Sequence, residues 1–117
     1  MNTALPTTPL AWVNGSDAPE KTSLDIGFMA LTDCAPVVVA ATQGFAQLYG
    51  LTLNLKRQAS WAGLRDKLVS GELDAAHCLY GLVYAVHLGL GGVPSHAMAV
   101  LMGLNQNAQA LNLSPAL

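Results

Sequence analysis

Polar side chains that could hold a small ligand follow three short apolar runs of this sequence. They are Thr32 and Asp33 after the first run, Ser60 and Trp61 after the second, and His77 at the end of the third. The carboxyl ends of parallel strands lie along one edge of a sheet, so we expect these side chains to converge. Open α/β sheets bind their ligands at this edge, so these residues indicate a site for a small molecule.

Two predicted helix starts lie beside these polar residues, one near Pro36 and one near Trp61. The unpaired N–H groups of a helix start carry about half a positive charge, which favours a bound anion. The sequence therefore predicts an anion site that needs no lysine.

Each candidate also has a purely structural interpretation. Asp33 is typical of turns and helix caps, Trp61 of a core anchor, and His77 of a buried histidine with a satisfied hydrogen bond. Cys34 and Cys78 are expected to be small buried side chains and not a disulfide pair.

Motifs of catalysis and cofactor binding are missing from the sequence. It contains no GxxxxGK(S/T), no GxGxxG after a strand, no HExxH and no CxxC. Each of these motifs places a phosphate cradle, a metal or a redox pair at a fixed spacing. We therefore expect a binding protein without enzymatic activity, metal or cofactor.

The elements that must position the candidate residues alternate between strand and helix. The sequence predicts strands at Leu24–Phe28, Leu51–Leu55 and Leu73–His77 from short apolar or alternating runs. Pro36 suits the first turn of a helix, and apolar residues recur three and four apart from there to Leu48.

The second helix is predicted to begin at the N-cap Ser60 and to end at Gly71. A third helix, Gly81–Leu90, is apolar on nearly every side, as expected of a helix between two layers. Fourth and fifth strands are predicted at Ala97–Leu101 and Ala110–Leu113. This order predicts an α/β fold: a three-layer α/β/α lobe with a mainly parallel sheet.

Composition indicates that the lobe belongs to something larger. Of 117 residues, 52% are hydrophobic and 10% are charged, whereas soluble domains average about 25% charged. We therefore expect a truncated protein that exposes an apolar patch and self-associates through Gly81–Leu113. The apolar run Cys78–Leu90 is too short to span a membrane. Residues 1–23, rich in proline, are expected to form an extended or poorly ordered arm, leaving 24–117 as the lobe.

The net charge and the N-terminal residues restrict the expected partners and the expected cellular location. The formal net charge of −2 argues against direct binding to nucleic acid, which needs clustered Lys and Arg. The N-terminal residues show neither a basic leader nor an apolar core of a signal peptide, so we expect a cytoplasmic protein, or a periplasmic one if a signal sequence lies upstream.

The joint pattern TDCAP, ASW, LRDKL and GELDAAH resembles the amino-terminal lobe of nitrate and bicarbonate solute-binding proteins of ABC transporters. The resemblance covers Leu24–Ser114 and implies the type II periplasmic-binding-protein fold, in which the ligand lies between two lobes. It implies Trp61 and His77 as ligand contacts, and Asp33 with them. It also implies a second lobe that supplies a basic residue.

The stretch WVNGSDAPEK before the first strand is similar to cytoplasmic relatives that sense nitrate or nitrite. That resemblance implies a sensor that controls nitrate-assimilation genes by holding an RNA-binding antiterminator inactive until the anion binds. The alternative is the substrate-binding component of a nitrate or bicarbonate ABC transporter. A third interpretation, similarity to enzymes that make the thiamine pyrimidine, would make His77 and Cys78 reactive groups.

Overall fold

The computed structural model describes residues 19–104, which form three strands, three α-helices and two 3₁₀ turns. The strands are β1 (Ser23–Phe28), β2 (Thr52–Arg57) and β3 (Ala75–Ala76), and the helices are α1 (Ala35–Thr42), α2 (Trp61–Ser70) and α3 (Tyr80–His87). The 3₁₀ turns are Thr32–Cys34 and Ala46–Tyr49. The alternation of strand and helix confirms the predicted α/β class.

The sheet is parallel throughout the described residues, with the strand order β2-β1-β3. Ile26 in the middle of β1 lies opposite Leu55 of β2 and Ala75 of β3. Crossovers between parallel strands are right-handed, so this order places α1 and α2 on opposite faces of the sheet. A crevice lies at the carboxyl ends of β1 and β3, where open α/β sheets bind their ligands.

The second helix begins and ends where the sequence predicts. Ser60 has an extended backbone, and its Oγ accepts a hydrogen bond of 3.1 Å from the N–H of Gly63. Gly71 ends the helix with a φ of +79°, a conformation that a residue with a Cβ rarely adopts. Leu64, on the inner face of α2, is fully buried.

The first helix is shorter than predicted. It ends at Thr42 and not at Leu48, because the chain turns at Gly44, whose φ is +78°. Phe45, which lies within the predicted helix at that apolar spacing and would be expected to face inward, is 44% exposed. Apolar spacing alone did not reveal this break, because a left-handed glycine can stop a helix inside an apolar run.

The predictions for the second half of the chain differ more from the structure. The third strand is only two residues long, Ala75–Ala76, and Ala97–Leu101 forms no strand. A strand needs a neighbour that satisfies its backbone groups, and within residues 19–104 the sheet ends at β3. The third helix is not enclosed between layers, since Tyr84 is 61% exposed. The predicted strand Ala110–Leu113 lies outside the described residues.

The arm predicted for 1–23 lies mostly outside the described residues as well. Its last residues meet the sheet where Lys21 Nζ bonds Asp74 Oδ1 at 2.6 Å. The Lys21 ammonium and the N–H of Asp25 hold the pKa of the Asp74 carboxyl below its usual range. No helix within the described residues is long and apolar enough to cross a membrane.

Candidate functional site

Two of the candidate residues meet in the crevice between β1 and β3. Asp33 lies in the 3₁₀ turn that follows β1, and His77 comes directly after β3. The N–H of His77 donates to the carbonyl of Gly27 over 2.9 Å, which extends the β1–β3 pairing by one residue. The imidazole Nε2 lies 3.1 Å from Asp33 Oδ2. The sheet thus fixes His77 through its backbone and Asp33 fixes its ring.

Trp61 joins this group from α2, the helix that connects β2 to β3. It is the first residue of α2, positioned by the Ser60 cap, and its side chain is half-buried. Its ring centroid lies 6.1 Å from that of His77, with the ring planes at 51°. The structure therefore brings Trp61, His77 and Asp33 together, as the sequence predicts. That they bind a ligand stays a prediction.

The hydroxyl candidates have different surroundings. Ser60 Oγ serves as the cap of α2, and its hydroxyl hydrogen can still be donated. Thr32 is exposed at the start of the 3₁₀ turn, where its carbonyl accepts the N–H of Ala35. Both residues lie at the same edge of the sheet as Trp61, His77 and Asp33. Within the described residues, neither hydroxyl is hydrogen-bonded to the side chains of those three.

Two buried atoms of this group have no hydrogen-bond partner among the described residues. They are Asp33 Oδ1 and His77 Nδ1. A buried polar atom left without a partner costs about 1–3 kcal/mol, so most folded proteins avoid it. A bound ligand with suitable donors and acceptors would remove this cost.

A cleft of about 730 Å³ opens beside the pair. Asp33 and His77 line it, together with apolar residues of α1, Tyr80 at the start of α3, and the segment 97–104. Trp61 is not part of its wall, so the His77 ring has the indole as one neighbour and the cleft as another. Tyr80 is not among the residues predicted for the site, and its position three residues after His77 was the signal in the sequence that could have indicated it.

The cysteines show no sign of catalytic activation. Cys34 is buried, and burial raises the pKa of the half-buried Cys78 thiol. A raised pKa keeps the sulfur protonated at neutral pH, and the protonated thiol is a poor nucleophile. In the described part of the chain, no three His, Cys, Asp or Glu residues are grouped as metal ligands.

Most basic side chains are engaged elsewhere. Within the described residues, carboxylates pair with Lys21, Lys56, Arg65 and Lys67. The remaining one, Arg57, is exposed at the carboxyl end of β2. At the edge of the sheet that carries Trp61 and Asp33, Arg57 and the N–H groups of the helix starts are therefore the sources of positive charge that no carboxylate of the described residues neutralises.

Comparison with known proteins gives matches along most of the chain. The model of the NMT1-like family matches residues 17–117. The nitrate/nitrite binding protein NrtA of Synechocystis sp. PCC 6803 is 41% identical over 108 residues, covering 86% of this chain and 24% of NrtA. The nitrate import ATP-binding protein NrtC of the same organism is 41% identical over 101 residues, covering 86% of this chain and 15% of NrtC.

A bicarbonate relative and a solved structure extend the comparison. The bicarbonate transport ATP-binding protein CmpC of Synechococcus elongatus is 38% identical over 100 residues, covering 84% of this chain and 15% of CmpC. The crystal structure of the periplasmic nitrate-binding protein NrtA from Synechocystis PCC 6803 matches with a TM-score of 0.59 and 41% identity, covering 61% of this chain and 20% of that chain. This chain thus spans less than a quarter of the length of these relatives.

Proposed function

The chain belongs to the NMT1-like family, and we propose that it supplies one side of a binding site for a small planar oxyanion, nitrate or nitrite. The observation that carries the proposal is the meeting of Trp61, His77 and Asp33 at the β1–β3 crevice. The names of the relatives NrtA and NrtC, which refer to nitrate, support the choice of ligand. The name of CmpC supports bicarbonate as the alternative.

The chemistry of nitrate suits such a site. Nitrate is planar and singly charged, and it is only weakly hydrated, so a flat indole and a few N–H donors can replace its water. Trp61 and Ala62 lie in the first turn of α2, where N–H groups have no acceptor within the helix. Those groups carry the partial positive charge that stabilises a bound anion.

We further propose that the whole protein is a cytoplasmic nitrate sensor acting on an RNA-binding antiterminator. The support is the similarity of Trp12–Lys21 to the sensing relatives. The alternative is the substrate-binding part of a nitrate or bicarbonate ABC transporter, and the import and transport names of NrtC and CmpC favour it. Cell fractionation tests the sensor, since a protein found in the periplasm could not act on a cytoplasmic antiterminator.

The enzyme interpretation finds little support. A thiamine-pyrimidine synthesis would need a reactive group at His77 or Cys78, and burial keeps the Cys78 thiol protonated. The matched relative NrtA is named as a binding protein. We therefore propose binding without catalysis.

Calorimetric titration with nitrate tests the site, using protein expressed from its complete reading frame. We expect Trp61→Ala and His77→Ala each to weaken nitrate binding by about 5- to 150-fold, because a lost partner in a buried polar site costs about 1–3 kcal/mol. His87→Ala, at an exposed histidine on α3, is the matched control and should bind as the parent does. Unchanged affinity in both site variants would contradict the assignment.

A further inference from the structure

We infer that nitrate binds this site together with a proton, which His77 takes up, and that Asp33 is the positioning residue that holds the protonated ring. The inference rests on the proposed function, because it concerns the same Trp61–His77–Asp33 group. It adds a second, coupled ligand, the proton, and with it a means of discriminating between two classes of oxyanion.

The hydrogen bond to Asp33 determines which nitrogen of His77 carries the first proton. Nε2 lies 3.1 Å from Asp33 Oδ2, and a carboxylate only accepts, so Nε2 is the donor. A neutral imidazole has a single N–H. In the neutral state the other nitrogen, Nδ1, is therefore a bare acceptor.

Nδ1 is the atom that lacks a partner. It is buried without a hydrogen bond among the described residues, and the His77 side chain is only 4% exposed. Every nitrate oxygen is an acceptor too, so a neutral His77 offers nitrate a lone pair where a donor is needed. A second proton on Nδ1 converts that acceptor into a charge-assisted donor.

Charge balance gives the same answer. An ionised Asp33 and a bound nitrate beside a neutral His77 would place two negative charges together with no positive charge between them. Protonation of His77 reduces the net charge of the three groups from −2 to −1. Because opposite charges at close range favour the ionised forms, Asp33 and the anion both favour the imidazolium.

The other ionisable groups in this part of the fold are less suited to take up the proton when nitrate binds. On its own strand, Asp74 is paired with Lys21, and burial raises the pKa of Cys78. On α2, Arg65 is bound to Asp66 and to the carbonyl of Gly91. Tyr80 on α3 lines the cleft together with His77, and Arg57 is exposed at the end of β2.

Bicarbonate differs from nitrate in one relevant way. It carries an O–H, which can donate to a neutral Nδ1 without any proton from solution. We therefore expect proton uptake with nitrate and little or none with bicarbonate. A rise in pH should then favour bicarbonate over nitrate at this site.

The experiment is calorimetric titration with nitrate in buffers of different ionisation enthalpy, using protein from the complete reading frame. The dependence of the heat on the buffer counts the protons taken up. We expect the count to approach one per nitrate towards alkaline pH, and nitrate affinity to fall there by up to about tenfold per pH unit. A parallel titration with bicarbonate should show little dependence on the buffer.

Two variants distinguish the roles of the residues. His77→Gln places an amide whose donor does not titrate, so any nitrate binding it retains should lose its pH dependence. Asp33→Asn removes the charge that favours the imidazolium, so nitrate affinity should begin to fall at a lower pH than in the parent. Glu72→Gln, at an exposed glutamate just after α2, is the control and should leave the pH profile unchanged.

The outcomes separate the inference from the proposed function. Nitrate binding that depends on Trp61 but takes up no proton would overturn the inference and leave the proposed function standing. An unchanged pH profile in Asp33→Asn would overturn the role of Asp33. Absence of nitrate binding at every pH would overturn the proposed function, and the inference with it.

Discussion

Two regions of the described chain differ sharply in how many of their apolar side chains are buried. The first, Ser23–His77, holds five of the six buried apolar residues among the described positions, and the second, Leu79–Leu104, holds only Val86. Of the twelve large hydrophobic side chains exposed in the described part, eight lie in the second region. Both regions are rich in apolar residues, so composition alone does not decide which side chains become buried.

The regions differ in backbone pairing as well. The first region has a parallel sheet, and each neighbour of β1 satisfies part of its backbone. The second is held by single hydrogen bonds, such as Arg65 Nη1 to the carbonyl of Gly91 at 2.6 Å and Ser95 Oγ to that of His87 at 2.6 Å. We therefore expect substitutions in the first region to affect the free energy of unfolding more. Self-association through the exposed apolar side chains stays a prediction.

The largest difference is expected from truncating a leucine in each region. Leu64→Ala should lower the free energy of unfolding by about 2–5 kcal/mol, because Leu64 is fully buried and a cavity would remain. Leu101→Ala should change it by less than about 0.5 kcal/mol, because Leu101 is 78% exposed. Urea unfolding measures both. A similar loss in the two variants would show that Leu101 is packed and would remove the contrast.

Replacing one glycine by alanine in each region should give a smaller difference in the free energy of unfolding. A Cβ at Gly27 would lie 2.5 Å from Cδ1 of Leu73, which is itself only 4% exposed. Gly27→Ala should therefore lower the free energy of unfolding by about 1–3 kcal/mol. At Gly81 in α3 the added atom meets nothing within 4 Å, so Gly81→Ala should stabilise by about 0.5–1 kcal/mol. Thermal unfolding of both variants gives the signs, and equal signs would contradict the comparison.

The smallest effects are expected at the helix starts. Ser60→Ala removes the acceptor for the Gly63 N–H and should cost about 1 kcal/mol. The start of α3 at Leu79 has an extended backbone but no capping side chain. Leu79→Ser should add such a cap and stabilise by up to about 1 kcal/mol, as Leu79 is already 48% exposed. Urea titration with helix content as the readout tests both, and stabilisation by Ser60→Ala would refute the capping role.

Prediction from sequence succeeded where the signal was local. The start of α2 at Ser60, its end at Gly71 and the position of β1 depend on groups within a few residues of each other. Prediction failed where the local structure depends on residues that are distant in the sequence. Ala97–Leu101 has a strand-like composition, but a strand forms only where a neighbour supplies its hydrogen bonds, and within the described residues none does.

For the site, residue types and strand ends were sufficient to predict that Trp61, His77 and Asp33 would lie at one edge. The hydrogen bond between His77 and Asp33, and the unpartnered Nδ1 that it leaves, were not predicted. They depend on β3 lying beside β1 and not beside β2, a strand order that contacts between distant segments decide.

The sequence by itself thus determined the first two strands, the helix α2 with its caps, and the set of polar residues at the strand ends, because short-range hydrogen bonds and backbone preferences act within a few residues. Only the tertiary structure decided which of those residues touch and which apolar side chains stay exposed. Both depend on strand order and on the neighbours available, and these are set by contacts between segments far apart in the chain.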